Sequence, residues 1–427
     1  MKRTFALFSA LVVAGMILAA CATPTQAPAT EPPSGPEATA GPKPFACADA
    51  IGCVVVAPGD PIHIAYALTV SGPTATLGED SRGAVQIAID DVGGEILGHP
   101  IELTGEDTLC SAEGGQAAGT KIGADPTVIG VIGTNCSSAA RSFAPLISQA
   151  GMLMISPSNT NPDLTNPDHP DHWPGYFRTA HNDLFQGRIA AEFAYSVVGA
   201  KTAATIHDGS PYAESLQDVF SDVFTSLGGT VTAQEAVNVG DTDMTGVLSS
   251  IATGSPDILY FPIFEPEGGF IADQAKDISG LEDTMLFGAD GLLADTFPEN
   301  AGMDADGMYL SGPYVAGADY EAFLAKWTAK FGGVPPSGFH AFAYDATNML
   351  FQAIEAVAIV DSDGTVNIPR GALRDYMYNL RGFPGLTGNL SCDINGDCAT
   401  GEALGVFVLS AAEITGGNWP PQVTWTP

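Results

Sequence analysis

Thr134-Asn135-Cys136-Ser137-Ser138 follows directly on the apolar run TVIGVIG, and Ser156-Pro157-Ser158-Asn159-Thr160 closes the run GMLMISP. Three later groups stand in the same relation to apolar runs: 208–212 with Tyr212, 264–267 with Phe264 and Glu265, and Asp290. Hydroxyls ahead of a helix can join its free N–H groups and positive dipole end in holding a carboxylate without any cation. The same Ser and Thr types also serve as plain N-caps, worth about 1 kcal/mol each. Asp290 can accept hydrogen bonds from an ammonium, or it can serve the turn Ala289-Asp290-Gly291. Tyr212 and Phe264 can clamp an aliphatic group, or they can fill a core. What favours a binding site is that such clusters recur in both halves of the chain.

These side chains need elements that bring them together. IHIAYAL, HPIELTGED, TVIGVIG and GMLMISP read as strands, and helical spacing falls between them at 78–91, 111–124 and 137–150. The rhythm restarts near His181. Helices are predicted at 186–198, 212–227, 245–252 and 268–278, and KTAATIHD, TVTAQEAV, DILYFPIF and TMLFGAD are predicted strands. Helices at 319–331 and 339–360 follow, then a hairpin over 386–409 around Asn395-Gly396. Strands alternating with helices mean βαβ units on parallel sheets. The predicted fold is therefore α/β, with two doubly wound parallel-sheet lobes joined by several crossing segments. Residues 45–179 and 313–386 are assigned to the first lobe, and 180–312 and 387–427 to the second. Ligands on such sheets sit beyond the carboxyl ends of the strands, where the polar clusters stand.

The chain has 427 residues and a formal charge of -34. That balance speaks against nucleic acid and anionic lipid as partners, because both need clustered Lys and Arg. Met1-Lys2-Arg3 and the apolar stretch to Ala20 have the form of a secretory signal, 1–20. Its end, Leu18-Ala19-Ala20-Cys21, resembles a bacterial lipobox, which implies lipidation of Cys21. Residues 22–44 are mostly Ala, Thr, Pro, Gly and Glu and read as an extended tether. Export permits disulfides. Setting Cys21 aside leaves six of the seven cysteines, and local spacing suggests Cys47–Cys53, Cys110–Cys136 and Cys392–Cys398.

No motif of a cofactor or catalytic metal emerges. GGQAAGTK lacks the Gly-Lys-Thr order of a phosphate loop and lies inside a helical pattern. DHPDH, 168–172, sits in a Pro-rich loop. CDINGDC has its glycine too early for a calcium loop and reads better as a stapled turn. There is no Gly-x-Ser-x-Gly elbow and no His-Glu-x-x-His.

Taken together, SGPTATLGEDSRGAVQIAIDDV, GVIGTNCSSA, LMISPSNTNPDLT, YFRTAHNDLFQGRIAAEF, TIHDGSPYAESL, MLFGADG and LTGNLSCDINGD resemble the branched-chain amino-acid type of periplasmic binding protein, the solute receptor of ABC importers. The resemblance runs from about Ile62 to the C-terminus. It implies a two-lobed clamshell that closes on an amino-acid-like ligand, a membrane permease as partner, a monomer and no catalysis. It also implies that Ser137 and Thr160 hold the ligand carboxylate, that Ser158 contributes backbone contacts and that Asp290 accepts the ammonium. Tyr212 and Phe264 fall on the aromatic positions, and the Cys110–Cys136 pair on the family's disulfide. Asn159 and Glu265 complete the candidate contacts. Phe264 replaces a frequent tyrosine, Leu77 a frequent aromatic, and Asp290 a longer glutamate. A ligand sensor of the same fold and an enzyme acting on a small acid are the competing expectations.

Overall fold

The computed structural model describes residues 45–399, 401, 403–417 and 419–427. The signal segment 1–20, Cys21 and the tether 22–44 lie outside the described residues. Six strands form the first sheet, in the order Glu95–Ile96, His99–Asp107, Ile62–Leu68, Gly130–Gly133, Leu153–Ser156 and Tyr176–Arg178. All neighbours are parallel except the short Glu95–Ile96. The inner strands are apolar runs because both of their faces are covered. Ile64, Ile132 and Ile155 pack on one side against Val85 of the helix Ala75–Asp91 and Leu350 of the helix His340–Val357. Ala65, Val131 and Met154 pack on the other against Ile122 of Ala112–Gly123 and Phe143 of Ser137–Gln149. A Cβ on Gly115 would lie 2.3 Å from the Ala139 carbonyl oxygen, so glycine there lets those two helices approach.

The second sheet has seven strands, in the order Gln422–Trp425, Leu404–Val408, Tyr309–Pro313, Met285–Gly288, Ile258–Phe261, Thr202–His207 and Thr230–Ala236. The last five are parallel, and the two C-terminal strands add antiparallel. One core spans this sheet and its helices, among them Asp183–Glu192 and Pro211–Ser226.

The predicted hairpin around Asn395-Gly396 does not form. Gly388–Leu390 pairs with Phe383–Gly385, and Leu404–Val408 pairs with Tyr309–Pro313. Gly396 instead docks on the edge strand, its carbonyl accepting from Arg178 N at 3.0 Å. The turn itself is kept, with Gly396 N donating to the Asp393 carbonyl at 3.3 Å and Asp393 N to the Asp397 carbonyl at 2.8 Å, and a Cβ on Gly396 would sit 2.1 Å from the Tyr176 oxygen, so the turn packs on the edge strand instead of joining two strands. Leu390, Cys392 and Cys398 join the core of the first sheet, although 387 onward was assigned to the second lobe. All three expected disulfides are present.

The start of the described chain is fastened to the first lobe. Cys53–Val56 pairs antiparallel with Val366–Pro369, and the Asp49 carboxylate accepts from Gly371 N at 2.9 Å. No helix among the described residues is long and apolar enough to cross a membrane.

Candidate functional site

In the first lobe the strand Gly130–Gly133 delivers Thr134 to Ser138 to the start of the helix Ser137–Gln149. Its N-cap is Cys136, which makes no side-chain cap bond and is bridged to Cys110. Ser138 Oγ donates to the Cys110 carbonyl at 2.9 Å, a second tie on the same turn. Ser137 is therefore the first helical residue and not a cap. Its hydroxyl accepts from Asn161 N at 3.3 Å, and the helix's positive end keeps free donors for an anion. Asn135 knits the wall together: its side chain accepts from Thr69 N at 2.9 Å and donates to Ser81 Oγ at 3.0 Å. Ser158 Oγ donates to the Asn135 carbonyl at 3.1 Å and accepts from Asn135 Nδ2 at 3.1 Å. Asn159 turns into its own lobe, accepting from Thr134 Oγ1 at 3.1 Å. Thr160 is buried next to Ser158 and Asn161 at the same strand end.

A buried guanidinium holds this strand end in place. Arg178 is 0% exposed and donates to the carbonyls of Asn159 at 3.3 Å and Asn161 at 2.8 Å. It pairs with Asp397, from the stapled loop between Cys392 and Cys398. Burial opposes the charge on Asp397, but the Arg178 charge and hydrogen bonds hold its carboxyl below the ordinary value.

The second lobe presents carboxylates. Asp290 opens a 3-10 turn after the strand Met285–Gly288 and is buried. Its Oδ1 accepts from Gln186 Nε2 at 2.6 Å and from the Tyr212 hydroxyl at 2.9 Å. The Tyr212 and Phe264 rings lie 4.9 Å apart, centre to centre. Gln186 is oriented by His181, whose Nε2 lies 2.5 Å from Gln186 Oε1. Burial drives His181 down to about 4, so the ring is neutral. Burial pushes Asp290 up to about 6, against the hydrogen bonds from Gln186 and Tyr212.

Asp183 is the residue that sequence reasoning missed. It lies in the first turn of the helix Asp183–Glu192, is 0% exposed, and neither oxygen has a hydrogen-bond partner of good geometry among the described residues. Burial is the main cause that pushes it up to about 8, and Asp290 adds to it; the nearby Thr160 hydroxyl, Arg178 and the Ser215 hydroxyl pull weakly the other way. The helix was expected to start at 186, but the cap is Asn182, whose side chain accepts from Leu184 N. Asn182-Asp183 was the signal available.

The two walls meet. Asp183 N donates to the Thr160 carbonyl at 2.9 Å, and Asn161 Nδ2 donates to the Pro211 carbonyl at 2.6 Å. Leu77 of the first lobe shares an apolar cluster with Phe339 and Phe342, with Phe264 packed against it. Between Leu77, Phe264 and Asp290 only about 10 Å³ of free space remains, roughly one water. Asp290 and Phe264 border this gap with Leu77 of the other lobe; Tyr212 is joined to Asp290 by its hydrogen bond, while Thr160 stands against Asp183 and Ser137 against Asn161, outside the gap's lining. Glu265 also borders the gap, but its carboxylate is already engaged. Its two oxygens accept from Thr296 Oγ1 at 2.8 Å and from Asn300 Nδ2, so it braces the second lobe.

Two α/β lobes meet over a small buried gap, with the Asp290 carboxylate on the wall that the second lobe supplies. The chain belongs to the periplasmic binding protein family, whose pattern matches residues 61–400. It is 29% identical over 346 residues to the leucine-, isoleucine-, valine-, threonine- and alanine-binding protein of Pseudomonas aeruginosa, covering 79% of this chain and 87% of that protein. Among solved structures it is similar to a leucine-binding protein from Thermotoga maritima, at 25% identity and TM-score 0.74, over 85% of this chain and 98% of that one. The fold is also that of the branched-chain amino acid transporter substrate-binding protein of Streptococcus pneumoniae, solved with isoleucine, at 24% identity and TM-score 0.72 over 86% and 100% of the chains.

Proposed function

We propose that this protein is the extracytoplasmic solute-binding component of an ABC importer, and that it binds a free amino acid with an aliphatic side chain. The observation that carries the reading is a missing charge. Asp183 and Asp290 are both buried on one wall, while the nearby Arg178 is committed to Asp397. Two carboxylates away from water are costly unless a cation accompanies them. A ligand ammonium supplies that cation. The start of the helix Ser137–Gln149, with the Ser137 and Thr160 hydroxyls, receives the ligand carboxylate, and Ser158 contributes through its backbone. Leu77, Tyr212 and Phe264 face the side chain. The aliphatic preference is supported by the apolar cluster around Leu77 and by the ligands named for the relatives. The gap is smaller than an amino acid, so the lobes must part to admit one and close on it by hinge motion.

Cys21 carries the lipid that holds the receptor at the outer face of a membrane, 22–44 is its leash, and a permease receives the solute from a monomeric receptor. Calorimetry with leucine, isoleucine and valine, beside 4-methylvalerate, tests the binding reading. Leucine should bind one-to-one, and 4-methylvalerate, which lacks the ammonium, should bind at least a hundredfold more weakly. Equal affinities would exclude an ammonium site formed by Asp183 and Asp290.

A further inference from the structure

Asp80 lies in the helix Ala75–Asp91 of the first lobe and is 0% exposed. A polar group so placed is kept only where partners meet it. Its Oδ1 accepts from Ser337 N at 3.1 Å and its Oδ2 from Phe339 N at 2.9 Å, and His340 Nδ1 lies 2.9 Å from Oδ1. The other ring nitrogen, Nε2, lies 2.7 Å from the Tyr320 hydroxyl. Tyr320 belongs to the helix Ala318–Phe331 and His340 opens the helix His340–Val357. Both pack on the first lobe, where Phe323, Trp327 and Ala343 share a cluster with Ala84 and Ile87. Asp80 thus pins residues 337–340 to its own lobe.

The same segment grips the second lobe. Ser337 Oγ donates to the Leu293 carbonyl at 3.1 Å, and Asp295 N donates to the Pro336 carbonyl at 2.9 Å. Gly338 keeps the approach close, since a Cβ there would lie 3.2 Å from Leu293 Cδ2. Leu293 is part of the second lobe's core, and its N–H donates to the Asp290 carbonyl at 3.0 Å. The turn that carries Asp290 is therefore held at both ends. Its start is held within its own lobe, where Gly291 N donates to the Tyr212 hydroxyl at 3.1 Å. Its end is held by the first lobe. Ser337 and Asp290 border the same interlobe gap.

The geometry points to Asp80 as a positioning residue for ligand binding: through Ser337 and Pro336 it sets a clasp that ties the Asp290 turn to the first lobe when the lobes are together. The inference rests on the amino-acid reading of the cleft, and Asp80 itself touches no ligand. Both bonds of the clasp run from lobe to lobe. A hinge motion that parts 336–337 from 293–295 breaks them, so the clasp lengthens the time a solute stays enclosed.

Ser337→Ala removes the side-chain bond and leaves Asp80 its other donors. It should speed leucine dissociation about fivefold, the loss of one neutral hydrogen bond, with the association rate unchanged. Asp80→Asn should speed it at least as much. Adding Ser337→Ala to Asp80→Asn should give less than about a further twofold, because one residue acts through the other. Amide exchange gives a readout that needs no ligand. In the ligand-free full chain the Asp295 N–H should exchange about tenfold faster in Asp80→Asn than in wild type, and faster also in Ser337→Ala. The Met154 amide, bonded to the Gly175 carbonyl inside the first lobe, should keep its rate. If Asp80→Asn does not fold, Ser337→Ala carries both readouts. The clasp is overturned if the Asp295 amide exchanges alike in wild type and variants, or if leucine leaves the variants at the wild-type rate. A wild type that does not bind leucine counts against the cleft reading instead, and the exchange rates then decide the clasp alone.

Discussion

Asp290→Asn should shift stability and binding in opposite directions. Burial lifts Asp290 from an ordinary 3.8 to about 6. At about 1.4 kcal/mol per pH unit, ionising it in the folded state costs about 3 kcal/mol. Between these two values the folded protein keeps a proton that the unfolded chain has lost. Ligand-free stability therefore falls as pH rises through that window, and the full cost is present at neutral pH. The substituted amide cannot ionise, yet its carbonyl can still accept from Gln186 and Tyr212. The variant should therefore gain up to about 3 kcal/mol over wild type at about pH 7 and nothing below about pH 3.8. Leucine affinity should move the other way, because a charge-assisted bond worth about 1.5–3 kcal/mol is lost, or about tenfold to a hundredfold. Urea unfolding of ligand-free protein at both pH values, together with calorimetry, measures each arm. A variant no more stable than wild type at neutral pH, or one that binds leucine equally well, would refute the reasoning. The trade is of the kind expected where a site is strained for function.

Asp183, raised to about 8 by burial, is mostly protonated in the empty protein at neutral pH. Closing on an ammonium should release close to one proton, seen as a buffer-dependent binding enthalpy, and affinity should rise from about pH 5 to pH 8. An affinity that stays flat or falls over that range contradicts the assignment. Asp397→Ala leaves Arg178 buried without its partner and should cost about 3–5 kcal/mol in chemical denaturation; a loss under about 1 kcal/mol would mean that water reaches the guanidinium. Replacing Cys110 and Cys136 with serine opens a bridge spanning 26 residues. It should cost about 3 kcal/mol and weaken leucine binding, because the turn ahead of Ser137 loses its staple; unchanged calorimetry would show that Ser138 alone holds the turn.

Most of the frame was readable because parallel strands covered on both faces have no polar positions to spare. Runs such as GMLMISP therefore mark both the strand and, at their ends, the polar residues that the proposed site uses. Thr160 and Asp290 stood out for that reason. What escaped was set by contacts between distant segments. Asp183 looks in sequence like an ordinary acid in a first helical turn, placed there for the dipole, and only the approach of Thr160 from the other lobe removes it from water. Asn395-Gly396 does form a turn, but the strands expected on either side of it pair elsewhere and the turn docks on the edge strand Tyr176–Arg178. Glu265 borders the gap beside Phe264, and what the sequence did not reveal is that its carboxylate is also engaged by Thr296 and Asn300, 31 and 35 residues further on.

The fastening at Cys53–Val56 bears on force. Any pull arriving at Phe45 along the chain enters through the Cys47–Cys53 staple and the strand Val366–Pro369, and is spread into one half of the molecule alone. The other half receives the load across the connecting segments and the contacts between the two walls. With the leash proposed for 22–44, the far half can swing over a solute while the near half stays held.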